Sequence, residues 1–155
     1  MILYAFYNAD LIDIAQGKNE LTTGFVDDCA FAATGDTLEE THNRLKDMMD
    51  RSQGGLEWSR THNSQFEISK LAIMDFPRPN TKATPTRLII TTQHPGGTAI
   101  TNEIANVQTY KYLGVVFDPR LSWKAHTSKV TTNATRWAQQ LWRITKTAGG
   151  FISKT

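Results

Sequence analysis

Leu21-Thr22-Thr23-Gly24-Phe25-Val26-Asp27-Asp28-Cys29-Ala30-Phe31-Ala32-Ala33 is the stretch that decides the fold. Two β-prone runs, Leu21–Val26 and Cys29–Ala33, flank two acidic residues, and aspartate tolerates turn geometry better than most side chains. The segment predicts a hairpin with Asp27-Asp28 at its tip. Adjacent carboxylates at an exposed turn repel each other unless a cation offsets their charge. Mg²⁺ takes hard oxygen ligands, commonly one or two carboxylates, with substrate phosphates and water completing its shell. Nine aspartates in 155 residues leave one adjacent pair within chance, and a solvated turn is the plain alternative. Apolar Phe25-Val26 before the pair and Cys29-Ala30-Phe31 after it would seat the hairpin in a core and expose only the tip.

Working outward, residues 2–14 read as a helix in which Leu3, Phe6, Asp10 and Asp13 alternate with apolar neighbours, closed near its end by Gly17. It starts without a turn or cap, so the chain is expected to be cut from something longer. After the hairpin, Thr37 and Glu40 form a capping-box pattern. Leu38, His42, Leu45, Met48 or Met49, Ser52 and Leu56 then recur at helical spacing, with Gly54-Gly55 weakening the last turn and Trp58 packing beneath it. Phe66 to Met74 reads as a strand. A connection holding Pro77, Pro79, Pro85 and Pro95 follows; within it Arg87–Thr92 and Thr98–Ile104 read as paired strands around a His94-Pro95-Gly96-Gly97 turn. Tyr110–Asp118 is a further strand. Ser122–Ala148 is the longest helix, with Trp123, Val130, Ala134, Trp137, Leu141, Ile144 and Ala148 on one face and Gly149 as its stop. The pattern is α+β: a small antiparallel sheet with helices packed on one face, followed by a helical extension.

Charge is polarised along the chain, although its net value is only +2. Residues 1–60 carry eleven acidic and five basic side chains, whereas residues 119–155 carry seven basic ones and no acidic one. An acidic half joined to a basic tail suits a protein that holds cations at one place and phosphates at another. Lysines and arginines that merely solvate a surface helix would look the same. A hydrophobic content of 39% and a charged content of 21% describe a globular chain rather than a disordered one. No apolar run approaches the roughly 20 residues of a membrane span. The first residues lack the basic n-region of a signal peptide. Cys29 stands alone, which excludes a disulfide framework or a cysteine metal cluster within the chain. An intracellular location, nucleus or cytoplasm, is the expectation.

Four blocks follow one another: Tyr7-Asn8-Ala9-Asp10-Leu11, Gly24-Phe25-Val26-Asp27-Asp28, Phe66-Glu67-Ile68-Ser69-Lys70 and Tyr110-Lys111-Tyr112-Leu113-Gly114-Val115. Their order resembles the palm and early thumb of a reverse transcriptase (RNA-directed DNA polymerase) of non-LTR, LINE-type retrotransposons, most similar to those of filamentous fungi. The resemblance covers nearly the whole chain. It implies a partial palm over residues 1–118 and the beginning of a basic, helical thumb over 119–155. Phe25-Val26-Asp27-Asp28 matches the family's aromatic-x-Asp-Asp box, which implies Asp27 as principal metal ligand and Asp28 as a supporting one, for Mg²⁺ or Mn²⁺. Asn8 and Asp10 would belong to the helix after the template-contacting motif.

Lys70 matches the palm lysine that protonates or neutralises the departing pyrophosphate, a role chemistry favours because an ammonium offsets charge developing on a leaving group. A strand lysine facing solvent would have the same sequence. Tyr112-Leu113-Gly114 matches the primer-grip strand, where Gly114 would admit a close backbone; its plain alternative is a bulge. Lys124, Lys129, Arg136 and Arg143 would track the backbone of a template–primer duplex. Trp137 and Trp142 are read as core rather than base-stacking platforms, and His126 as a possible hydrogen-bonder at the helix start. The partners implied are an RNA template, a DNA primer and dNTPs, with no membrane. The chain departs from the family in lacking a further palm aspartate, a Gly-rich template motif and the fingers. Two-metal nucleotidyl transfer with half its carboxylates is expected to be slow or absent, because both ions need bridging ligands. Two alternatives stand beside a polymerase fragment: a non-catalytic nucleic-acid-binding remnant, and a decayed transposon fragment.

Overall fold

The first apolar run bends where a polar side chain is drawn inward. A computed structural model describes residues 2–79, 87–93 and 99–147, and in it the expected helix over 2–14 is two short ones, α1 (Ile2–Tyr7) and α2 (Ala9–Ile12), joined at Asn8. Backbone hydrogen bonds continue across the joint, from the Asn8 N–H to Tyr4 O (2.9 Å) and from the Ile12 N–H to Asn8 O (3.0 Å). Strands β1 (Glu20–Phe25) and β2 (Asp28–Ala33) then form the expected hairpin, paired from Glu20–Ala33 to Phe25–Asp28.

Helix α3 (Leu38–Asp50) starts at the cap read from the sequence: the Glu40 N–H donates to Thr37 Oγ1 at 3.1 Å. The Glu40 carboxylate accepts from the N–H of Asp36, one residue before the cap itself. The helix ends earlier than expected. Arg51 leaves helical geometry so that its guanidinium can reach Glu20 (2.7 Å), Asp47 (3.1 Å) and the Ile14 carbonyl. A second helix, α4 (Gly55–Thr61), follows a tight reversal at Gly54. A Cβ at Gly54 would lie 2.7 Å from the carbonyl oxygens of both Met48 and Arg51, so only glycine fits.

The expected strand over Phe66–Met74 is not formed. Ile68–Lys70 is a 3₁₀ turn, and Ile73 makes a single parallel bridge with Asn106. In a 3₁₀ turn residues three apart eclipse, so Ile68 and Leu71 both reach the same core cluster, which alternation along a strand would forbid. Strands β3 (Leu88–Gln93) and β4 (Ala99–Ile104) pair antiparallel as expected, while their intended turn, His94 to Gly97, lies outside the described residues.

The expected strand Tyr110–Asp118 is itself a hairpin, β5 (Tyr110–Tyr112) and β6 (Val115–Phe117). Leu113 and Gly114 turn it, both at positive φ (48° and 88°), as two-residue turns matching the strand twist require. Helix α5 (Lys124–Thr147) follows; Ala148 and Gly149 lie outside the described residues. The molecule is thus α+β. Among the described residues it carries three separate two-stranded antiparallel sheets rather than one small sheet.

Two compact units result, Met1–Gln108 and Thr109–Thr155. In the first, α3 is central. Its neighbouring Met48 and Met49 face two adjoining clusters, Met48 with Leu11, Ile14 and Trp58, and Met49 with Ile73, Leu88, Ile90 and Ile104. Full burial of such a side chain is worth about 1.5–3 kcal/mol. Phe31, on β2, packs against both clusters and so anchors the hairpin to α3. No helix among the described residues is long and apolar enough to cross a membrane.

Candidate functional site: a carboxylate tip and a basic helix

The β1–β2 turn is made of Val26 and Asp27, because Phe25 and Asp28 are already a cross-strand pair. Asp27 sits in the turn and Asp28 is the first residue of β2; both are exposed. Val26 is at φ 58°. A β-branched residue in the left-handed region is a steric outlier, and such a conformation persists only where its surroundings enforce it.

The two-residue hairpin turn calls for positive φ at this first position, and two contacts hold valine there. Asn8, 6% exposed, donates through its side-chain amide to the Val26 carbonyl. Gly24, on the strand leading into the turn, lets α2 come close, since a Cβ there would lie 3.1 Å from Ile12 Cδ1. Asn8 is the residue that the sequence reading left without a role. The signal available was a single carboxamide directly after the apolar and aromatic run Ile2–Tyr7.

Behind the tip, Cys29 is part-buried, and burial, followed by the charges of Asp28 and Asp27, pushes its thiol pKa up. A thiol held protonated is a poor metal ligand, because the thiolate is the species that binds. Lys70 stands on the 3₁₀ turn with its side chain 77% exposed, paired to Glu67 at 2.6 Å. Its pKa is raised chiefly by the hydrogen bond and charge of Glu67, with a smaller push from Asp27. Lys70 therefore lies within Coulombic reach of Asp27. With its pKa raised, it is better suited to remain a cation than to give up a proton near neutral pH.

The donor set has a definite chemistry. Two exposed carboxylates on consecutive residues, with no competing thiolate or imidazole, fit a hard dication that takes its remaining oxygens from substrate and water. They do not fit a closed, all-protein metal cage. Among the described residues no group of three or more His, Cys, Asp or Glu is placed to hold an ion.

In the second unit, the Tyr112-Leu113-Gly114 segment forms the turn of β5–β6. Leu113 is exposed, and a Cβ added at Gly114 would meet nothing within 4 Å, so the positive φ is what calls for glycine. His126 Nδ1 accepts from the Val116 N–H at 3.3 Å, tying the start of α5 to β6. The Asp118 carboxylate accepts from the backbone N–H groups of Ser122 and Arg120, which holds its pKa below the usual range.

Along α5, Lys129, Arg136 and Arg143 recur every seven residues. At 3.6 residues per turn they fall within roughly 40° of arc, as a row about 21 Å long. Lys124 lies roughly 100–140° away from that row. Val130, Trp137, Leu141 and Ile144 form an adjoining apolar row. Trp137 (66% exposed) and Trp142 (59%) are not core residues as expected: each stands exposed on α5, with Lys146 Nζ 3.7 Å from the centre of the Trp142 ring. Of the residues singled out from sequence, Asp27 and Asp28 adjoin in the first unit, and Lys70 lies within Coulombic reach of Asp27 while paired to Glu67. In the second, three of the four basic residues share one face. No family model, curated protein or solved structure matches the chain.

Proposed function

We propose that the chain is part of an RNA-directed DNA polymerase of the non-LTR retrotransposon type, with Asp27 and Asp28 as a portion of its metal site. The observation that carries this reading is the held tip: exposed paired carboxylates on a turn whose strained Val26 is clamped from a buried side chain. Backbone strain is found where geometry matters to function, and here a buried side chain holds it in place. When bound, Mg²⁺ or Mn²⁺ would offset charge on the attacking and leaving oxygens of nucleotidyl transfer. Asp27 would be the principal ligand, Asp28 would support it, and Lys70 would remain a cation near the triphosphate. Tyr112, Leu113 and Gly114 would hold the primer end, and Lys129, Arg136 and Arg143 the phosphates of the RNA template–DNA primer duplex. With two carboxylates at the tip and no third among its described neighbours, the chain by itself is expected to be inactive.

The test uses Mn²⁺ as a paramagnetic probe of the ¹⁵N-labelled chain. Broadening centred on residues 26–29 and removed by Asp27→Asn supports the reading. Broadening spread over the acidic surface, or unchanged in Asp27→Asn, refutes the metal site. Primer extension on a primed RNA template with dNTPs and Mg²⁺ should give no product. Extension abolished by Asp27→Asn would overturn the expected inactivity.

A second reading is a non-catalytic duplex-binding module, favoured by the basic row lying in a unit of its own. Duplex binding without any localised Mn²⁺ effect would select it.

A further inference from the structure

We propose that Asn8 positions the Asp27-Asp28 tip, clamping the Val26 carbonyl so that the turn keeps its left-handed conformation. The role deepens the reading of the tip as a cation site and rests on it. Asn8 is buried, sits at the joint between α1 and α2, and reaches across 18 residues of sequence to a turn carbonyl. Its backbone groups are occupied locally: its N–H bonds to Tyr4 O and its C=O accepts from Ile12. The amide side chain alone faces the turn. Gly24 completes the arrangement by letting Ile12 pack close: a Cβ there would lie 3.1 Å from Ile12 Cδ1, which would have to give by a few tenths of an ångström.

Valine at φ 58° relaxes to negative φ when unrestrained, and the relaxation rotates the next peptide and with it the Asp27 side chain. A glycine at position 26 adopts positive φ freely and needs no clamp. The clamp is therefore distinguishable from general stabilisation: its effect on the tip must depend on what occupies position 26.

The experiment measures Mn²⁺ affinity at the tip by paramagnetic broadening in four proteins: unaltered, Asn8→Ala, Val26→Gly and the double variant. Loss of one hydrogen bond to the turn is expected to weaken Mn²⁺ about five- to tenfold in Asn8→Ala. The double variant should stay within about twofold of Val26→Gly, since glycine holds the turn unaided. Equal losses in the two backgrounds would overturn the clamp and leave Asn8 a packing residue. Two readouts stand apart from metal. In the unaltered protein, an Asn8 side-chain amide proton should exchange slowly with solvent; exchange as fast as that of an exposed asparagine overturns the proposal even if Asn8→Ala does not fold. In Asn8→Ala, the φ-dependent three-bond coupling at Val26 should change, and an unchanged value likewise overturns it. If the unaltered chain shows no localised broadening, the cation-site reading fails, while slow exchange and the coupling still decide the clamp.

Discussion

Neutralising the basic row of α5 should remove most of the salt sensitivity of duplex binding. The perturbation is Lys129→Gln/Arg136→Gln/Arg143→Gln. Glutamine has nearly the helix propensity of lysine and arginine, so α5 should survive the change. The three side chains share one face along about 21 Å, long enough to meet successive phosphates on one side of a duplex. Three phosphate contacts give a slope of log affinity against log salt of about −2.7. Raising salt from about 50 to about 200 mM should then weaken binding by about 40-fold in the unaltered chain. The triple variant should bind with a slope near zero. Lys124→Gln, off the row, should leave the slope almost unchanged. Fluorescence anisotropy of a labelled DNA primer annealed to RNA measures all of these. A slope shallower than about −1 in the unaltered chain, or one that the triple variant retains, refutes the reasoning. Equal effects of Lys124 and of each row residue would show a diffuse charge effect instead of an organised row.

Three further outcomes follow from the packing of the first unit. Asp75 accepts from buried His42 at 2.6 Å and also bonds the Asn106 side-chain amide, so Asp75→Ala strands two polar groups and should cost about 2–4 kcal/mol. Thermal unfolding would show this as a fall of about 5–15 °C in midpoint, and a change below about 2 °C would mean the network contributes little. Gly54→Ala should cost more than about 2 kcal/mol because its Cβ meets two carbonyl oxygens, whereas Gly17→Ala, with open space around it, should cost only about 1 kcal/mol for its positive φ. Chemical denaturation of the pair checks the contrast, and equal losses would contradict it. Glu20 has its pKa lowered from the ordinary 4.5, first by its hydrogen bond to Arg51, so it binds fewer protons folded than unfolded. The stability it adds is present above that ordinary value and is lost as pH falls through the lower, folded one. Glu20→Gln should therefore flatten the acid side of a stability–pH curve, and an unaltered acid limb would show that Glu20 does not contribute to it.

Much of the fold was legible where the decisive interactions are local. The β1–β2 hairpin needs only β-prone runs around a turn, and the start of α3 needs only Thr37 and Glu40 within one turn. Errors arose where distant groups competed with local preference. Periodicity carried α3 through to Leu56, but Arg51 leaves the helix for Glu20, Asp47 and the Ile14 carbonyl, partners as far as 37 residues away. Phe66–Met74 has the composition of a strand, yet Ile68 and Leu71 are both drawn to the same cluster. Tyr110–Asp118 has the composition of one strand because leucine before glycine is a weak turn signal; only Gly114 suits positive φ, and Leu113 joins it there. At the site, residue types pointed to Asp27 and Asp28. Asn8 escaped because its partner is a backbone carbonyl, which leaves no side-chain pattern to match.

The strain at Val26 also bears on whether the carboxylates could be an idle turn. Asparagine or glycine would occupy φ 58° with little or no penalty, whereas valine costs about 1–3 kcal/mol there. One ordinary hydrogen bond returns about 1 kcal/mol, so the Asn8 contact is close to balance, and the β1–β2 pairing that closes the turn, with α2 packed on Gly24, supplies the rest. A turn so held keeps the backbone at Val26, from which Asp27 follows, in one conformation. Lys70, within Coulombic reach of Asp27, is paired first to Glu67. In the cation site proposed above, the held turn would fix where Asp27 and Asp28 leave the backbone, and a dication there would take its remaining oxygens from phosphate and water.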